Sequence, residues 1–266
     1  MKKLTSKKTN PSVDVTDLTK RYYNKVSGWR SKGFLEGFVG EIAKRRVLPG
    51  LKRLNLSEGD KWLDIGCGPG LNFELGLKLS KCNNLDLYGI DIADKNVKIA
   101  NKKIKKGNFV QGYADRLPYK NEEFDKVTYF HVIEHVPDPL KTLQELKRVL
   151  KDRGVANFSF QNKYGLETTT MNLSKKLVFL FGGDPAGFSK PKGMLDVRRS
   201  IFEIRKLCRQ AGLDVQKVDG CILMLPSIAW RIKSLRGLTL FLSDILQKIP
   251  LIKYFSSYIC LTVTKQ

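Results

Sequence analysis

Two hydrophobic periods divide the chain. From Asp17 to about Leu54, apolar residues such as Tyr22, Trp29, Ile42, Val47 and Leu51 recur mostly at helical spacing, which predicts helices with one buried face. Glycines 28, 33, 37 and 40 and Pro49 break this stretch into two or three pieces. Residues 1–15 are basic and lack that period, so they are expected to form a frayed arm. After the turn Ser57–Asp60 the pattern changes. Short apolar runs predict strands at Lys61–Ile65, Leu85–Ile92, Asn108–Gln111, Phe124–Phe130 and Val155–Phe160. Between them lie predicted helices at Leu71–Ser80, Asn96–Lys105 and Pro139–Leu150, the last with Leu140, Leu143, Leu146 and Val149 on one stripe. Strands and helices in alternation make a parallel sheet covered on both faces.

Residues 163–198 interrupt this rhythm with a long insert. A helix (Ser200–Ala211), a strand (Leu213–Val218), an amphipathic region to about Ile249 and a strand at Tyr258–Thr264 follow, bringing the count to seven strands. The expected class is therefore α/β, a doubly wound seven-stranded sheet with helical lid elements at both ends. We expect one domain over 1–266: an N-terminal lid (1–56), a core (57–162), the insert (163–198), and the remaining sheet with a C-terminal lid (199–266).

Charge changes the picture more than composition does. The 266 residues are 42% hydrophobic and 28% charged, yet the net charge is +22. That balance favours contact with nucleic acid or anionic lipid, unless it is only a solvated lysine coat. The five cysteines (67, 82, 208, 221, 260) are odd in number and form no CxxC pair. That argues for a reducing, cytoplasmic setting over a disulfide framework or zinc knuckle. No apolar run follows the basic start, so no secretory signal is expected. The longest uncharged stretches late in the chain, Gly220–Trp230 and Tyr254–Thr264, are 11 residues each, short of the roughly 18–20 a bilayer span needs.

The sharpest local signal is LDIGCGPG, Leu63–Gly70, at the end of the first strand. A P-loop would need Gly-Lys-Ser/Thr, but Leu71-Asn72 follows Gly70. A dinucleotide fingerprint would need its third glycine at 71. What remains is DxGxGxG, with Asp64, Gly66, Gly68 and Gly70. Its glycines admit close backbone approach, and its carboxylate suits a ligand amino group better than a pyrophosphate. Asp91 ends the second strand, where an acid can accept hydrogen bonds from ribose hydroxyls. Asp115 follows the third strand, within reach of an adenine amino group.

Together LDIGCGPG, GIDIA, GYADRLPYKNEEFDKV and the helix ending in KRVLKDRG resemble the class I S-adenosylmethionine (SAM) dependent methyltransferases, over roughly Asp60–Phe160. The resemblance implies SAM as cofactor, with Asp64, Gly66 and Gly68 around the methionine moiety and Gly70 in the same cofactor-binding loop. It implies Asp91 at the ribose and Ile92, Ala114 and Asp115 at the adenine. It also implies a Rossmann-like, mostly parallel sheet whose last strand is reversed.

Both histidines fall in FHVIEHVPDP, Phe130–Pro139. By residue type His131, Glu134 and His135 could ligate a metal, provided the segment turns helically and brings i, i+3 and i+4 to one face. A histidine can equally act as a general base, or the segment can order the turn before Asp138 caps the next helix. In the resemblance this segment lies beside the sulfonium and looks most like the ubiquinone-pathway O-methyltransferases. It is read here as substrate-side: His135 and His131 catalytic, His131 also at the cofactor, and no metal assigned.

Acceptor choice belongs to the variable parts. From Cys221 onward there are six basic residues and one acid, Asp244, interleaved with large apolar side chains, a pattern of helices lying on anionic membrane. The expected activity is methyl transfer to a small or lipid-like acceptor, oxygen favoured, in the cytoplasm or peripheral on the membrane's inner face. The alternatives are an RNA methyltransferase using the charge and a non-catalytic SAM-binding protein. No NPPY-type motif or catalytic-cysteine motif follows the fourth strand to favour nucleic acid.

Overall fold

In a computed structural model the described residues are 11–31, 37–166, 194–223 and 236–266. Most of the predicted insert (167–193), the start of the arm (1–10) and residues 224–235 lie outside them.

Two helices come first, α1 (Pro11–Ser31) and α2 (Gly37–Arg53). The alternating part follows: β1 (Lys61–Ile65), α3 (Leu71–Ser80), β2 (Asp86–Asp91), α4 (Asp94–Lys103), β3 (Gly107–Gln111), β4 (Phe124–Phe130), α5 (Pro139–Val149) and β5 (Leu150–Gln161). The chain ends with α6 (Ile201–Ala211), β6 (Leu213–Ile222), α7 (Arg236–Leu246), a 3-10 turn (Ile252–Phe255) and β7 (Tyr258–Lys265).

The seven strands form one sheet in the order β3-β2-β1-β4-β5-β7-β6. β1 through β5 pair in parallel, while β7 runs antiparallel to both β5 and β6. After β1 the chain winds outward to β3 and then returns to the other side of β1 as β4. That reversal opens a crevice at the carboxyl ends of β1 and β4. Asp64 lies in register with Gly89 on one side and Thr128 on the other.

Alternate side chains of the strands feed two apolar layers. Leu63, Ile65, Tyr129 and Phe158 pack with Leu143 and Leu146 of α5 and Ile204 and Cys208 of α6. On the opposite face Trp62, Leu87 and Phe109 pack with Val47 and Leu51 of α2, Phe73 of α3 and Val97 of α4. Asp138 caps α5 by accepting from the Lys141 N–H at 3.0 Å, with Pro139 in the first turn. Ser200 and Glu203 form a capping box on α6.

Three boundaries differ from expectation by more than about two residues. α1 already begins at Pro11, inside the expected frayed arm. β5 starts at Leu150, because Leu150 pairs with Phe124 and the Asp152-Arg153-Gly154 turn is absorbed as a register shift before Val155 meets Lys126. β6 runs on to Ile222 because β7 supplies hydrogen-bond partners as far as Tyr258, so pairing overrides the polar Asp219-Gly220 pair.

Candidate active site in the strand-end crevice

The glycine loop is shaped by its neighbours. Gly66 has a φ of +74°, and its N–H and that of Cys67 both donate to the Ile90 carbonyl, at 2.7 and 3.0 Å. A Cβ on Gly66 would run into the Val132 side chain. Gly68 has nothing within 4 Å of its Cβ direction, so a ligand can approach its backbone. Gly70 stands at the start of α3 with a φ of +86°.

Two carboxylates hold this loop. Asp91 accepts from the Gly68 N–H at 2.8 Å, the Ala93 N–H at 2.8 Å and the Asn96 side chain at 3.1 Å. Asp64 is fully buried and accepts from the Thr128 hydroxyl at 2.6 Å and the Asn72 amide at 2.9 Å. Burial pushes the Asp64 carboxyl up to about 7, with the Asp91 charge adding to the rise and the two hydrogen bonds opposing it.

The crevice encloses about 280 Å³. Gly66, Gly68, Asp91, Ile92, Ala114, Asp115, His131 and His135 share its wall, and Tyr23 of α1 and Arg46 of α2 also line it. Asp64 and Gly70 stand behind that wall: Asp64 reaches it through Asn72, and Gly70 packs toward Ile104 of α4.

The two histidines are held differently. His131 sits at the end of β4 with a φ of +57°, a left-handed conformation costly for a non-glycine residue. Its N–H donates to the Ser159 carbonyl at 3.1 Å. Both ring nitrogens face protein groups: Nδ1 lies 3.6 Å from Glu134 Oε1, and Nε2 lies 3.3 Å from Ser159 Oγ. Tyr258 meets the ring edge-on, with centroids 4.9 Å apart. Burial lowers the His131 pKa even though Glu134 opposes it, so the ring is neutral at pH 7. Glu134 accepts from the Gln161 N–H at 2.8 Å. Burial pushes its carboxyl up, but His131 and His135 outweigh that and hold it below the ordinary range.

His135 Nδ1 lies 2.8 Å from the Leu195 carbonyl. A carbonyl can only accept, so Nδ1 carries the proton and Nε2 the lone pair. The same turn is clasped from outside: the Val197 N–H donates to the Glu134 carbonyl and Arg199 Nη1 to the Ile133 carbonyl, both at 2.9 Å.

Left-handed His131 ends any helical continuation of β4, so the face that i, i+3 and i+4 would share does not form. Glu134 turns to the backbone of β5 and His135 to Leu195. Among the described residues, no cluster of three or more His, Cys, Asp or Glu could hold a metal ion.

Two wall residues escaped the sequence reading. Asn96 Oδ1, beside Asp91, and Arg46 Nε are buried atoms without a hydrogen-bond partner among the described residues. Asn96 lies five residues after Asp91 at the start of a helix, which was a usable signal. Arg46 is one of many basic residues on an amphipathic helix and carried none. These atoms fit SAM: an acceptor for a ribose hydroxyl, a guanidinium for the α-carboxylate, and open backbone at Gly68 between them.

Known proteins agree. A family described as "Methyltransferase domain" matches residues 63–158. A ubiquinone biosynthesis O-methyltransferase of Dinoroseobacter shibae is 31% identical over 186 residues, spanning 68% of this chain and 70% of that one. An uncharacterized protein of Methanocaldococcus jannaschii is 32% identical over 157 residues, and the match spans only 57% of that relative's length. A SAM-dependent methyltransferase of Thermotoga maritima shares the fold with a TM-score of 0.60 at 22% identity, covering 95% of this chain and 100% of that one.

Proposed function

We propose that this chain, which belongs to the SAM-dependent methyltransferases, transfers a methyl group to an oxygen of a small or lipid-like acceptor, as one domain working at the cytoplasmic side of a membrane. The observation that carries the reading is the 2.8 Å contact between His135 Nδ1 and the Leu195 carbonyl. It puts the basic lone pair on Nε2 of a ring that lines the crevice.

Bound in the crevice, SAM supplies an electrophilic sulfonium methyl. The chain supplies position and a proton acceptor. Asp91 and Asn96 take the ribose hydroxyls, and Ile92, Ala114 and Asp115 border the adenine. The Gly66–Gly68 backbone and Arg46 hold the amino-acid end, with Asp64 behind Asn72 compensating its ammonium. His135 Nε2 would accept the acceptor's hydroxyl proton as the oxygen–carbon bond forms and the sulfur–methyl bond breaks, the sulfonium leaving as a neutral thioether, a role suited to an imidazole near neutral pH. His131, engaged at both nitrogens, is a positioning residue that sets the wall. The name of the Dinoroseobacter relative supports oxygen as the accepting atom and a quinone precursor as the acceptor class.

The test is incubation with methyl-labelled SAM and a panel of catechols and prenylated phenols. Wild type is expected to yield labelled methyl ethers. His135→Ala should lose roughly 10²-fold or more in turnover while keeping its SAM affinity. Labelling of none of the phenols, with SAM binding intact, overturns the acceptor class. Failure to bind SAM at all overturns the activity.

A further inference from the structure

Helix α7 (Arg236–Leu246) packs Leu240 against the core but carries a second apolar face outward. Its two buried side chains are polar, Thr239 and Ser243, at 5% and 1% exposure, whereas Leu238, Phe241 and Ile245 face outward at 53%, 60% and 46%. The apolar ridge continues past the helix through Ile249, Leu251 and Phe255, the last two 76% and 55% exposed. A surface helix of a globular protein ordinarily turns its apolar stripe inward.

Bonds from Ser243 and Asp244 fix this orientation, and Thr239 is satisfied within the helix. Ser243 Oγ accepts from the Leu223 N–H at 2.9 Å, Thr239 Oγ1 donates to the Arg236 carbonyl at 2.8 Å, and Asp244 pairs with Arg45 of α2. The polar inner side is thus satisfied, and the ridge is the face left for a partner.

We propose that this ridge seats the enzyme on the interface of an anionic bilayer, a proposal that takes its purpose, access to a lipid-like acceptor, from the function proposed above. Charge selects this occupant. Six basic residues and one acid occur from Cys221 to the end, and the acid, Asp244, is already paired. Lys248 and Lys253 lie within the ridge segment. A net charge of +22 draws the chain to an anionic surface and repels a second copy. Position agrees as well. Arg45 of α2 reaches α7, while its neighbour Arg46 lines the crevice, so a seated ridge brings the crevice wall about one helix diameter, ~10 Å, from the lipid.

Flotation of the full chain with vesicles of phosphatidylcholine alone, or mixed equally with phosphatidylglycerol, tests the proposal. Wild type should float with the mixed vesicles and bind the neutral ones at least about tenfold more weakly. The double variant Phe241→Asp, Leu251→Asp changes two outward side chains. It should lose at least about tenfold in vesicle binding, with unchanged circular dichroism and SAM affinity. The proposal is overturned if wild type does not float, if the variant floats equally well, or if wild type sediments as a dimer that the variant abolishes. SAM binding is read separately by calorimetry, so a failed activity with intact flotation removes the function and leaves the docking surface standing.

Discussion

Asp64 predicts a proton released when SAM binds. Its carboxyl is fully buried, and burial pushes it up to about 7. An ordinary aspartate titrates near 4, so burial and the Asp91 charge, net of the two hydrogen bonds, penalise the charged form by about 4 kcal/mol at roughly 1.4 kcal/mol per pH unit. At pH 6 about nine in ten Asp64 side chains are therefore protonated, while an α-amino group, titrating near 8, is almost fully charged. An ammonium arriving beyond Asn72 favours the carboxylate, so about 0.9 proton should leave per SAM bound at pH 6. Calorimetry at pH 6 in buffers of different ionisation enthalpy measures that number as a slope. Affinity should also rise with pH toward 7. In Asp64→Asn the slope should vanish, since no carboxyl remains to ionise. A heat independent of buffer in wild type, or a slope that persists in Asp64→Asn, refutes the argument. The same raised pKa has a cost without ligand. The folded value lies above the unfolded one, so the Asp64 contribution to stability is full below about pH 4 and is lost as pH rises through about 7.

Two further outcomes are expected. Gly66→Ala forces a side chain onto a φ of +74° and into Val132, which should cost about 2–3 kcal/mol in thermal or urea unfolding and weaken SAM binding. Unchanged affinity would show that the loop does not touch the cofactor. The imidazole of His131 is depressed below its ordinary 6.5, so its contribution is present above about pH 6.5 and declines as pH falls. His131→Asn should flatten the loss of urea stability between pH 7 and 5, and an unaltered slope would contradict this.

The strand and helix pattern was legible where periodicity and punctuation coincide. Lys61–Ile65, Leu71–Ser80 and Phe124–Phe130 end at glycines, polar turns or a left-handed residue, and their bounds follow from sequence. The misjudged ends belong to elements whose extent is decided by a distant partner. β5 reaches back to Leu150 because Phe124 is there to pair with, and β6 reaches Ile222 because β7 accompanies it. Neither partner lies nearby in sequence.

The crevice divides the same way. One part of its lining is made from strand tips and the loops that follow them, and Gly66, Gly68, Asp91, Ile92, Ala114 and Asp115 all belong to it. The rest of the lining is assembled from far-off pieces. Tyr23 and Arg46 come from the two leading helices, and the carbonyl that sets the His135 tautomer comes from Leu195, sixty residues downstream. Sequence alone could offer His131 and His135 only as equals, because what separates them is the company each ring keeps. Glu134 and Ser159 lie beside the nitrogens of His131, while the Leu195 carbonyl and the Tyr23 ring lie beside His135. Val197 and Arg199 bond the backbone of that same turn. The end of the insert and the residue after it therefore set the geometry of His135. A change at Leu195 or Val197 can therefore alter the setting of His135 without touching a residue of the glycine loop, because the two parts of the crevice come from different stretches of the chain.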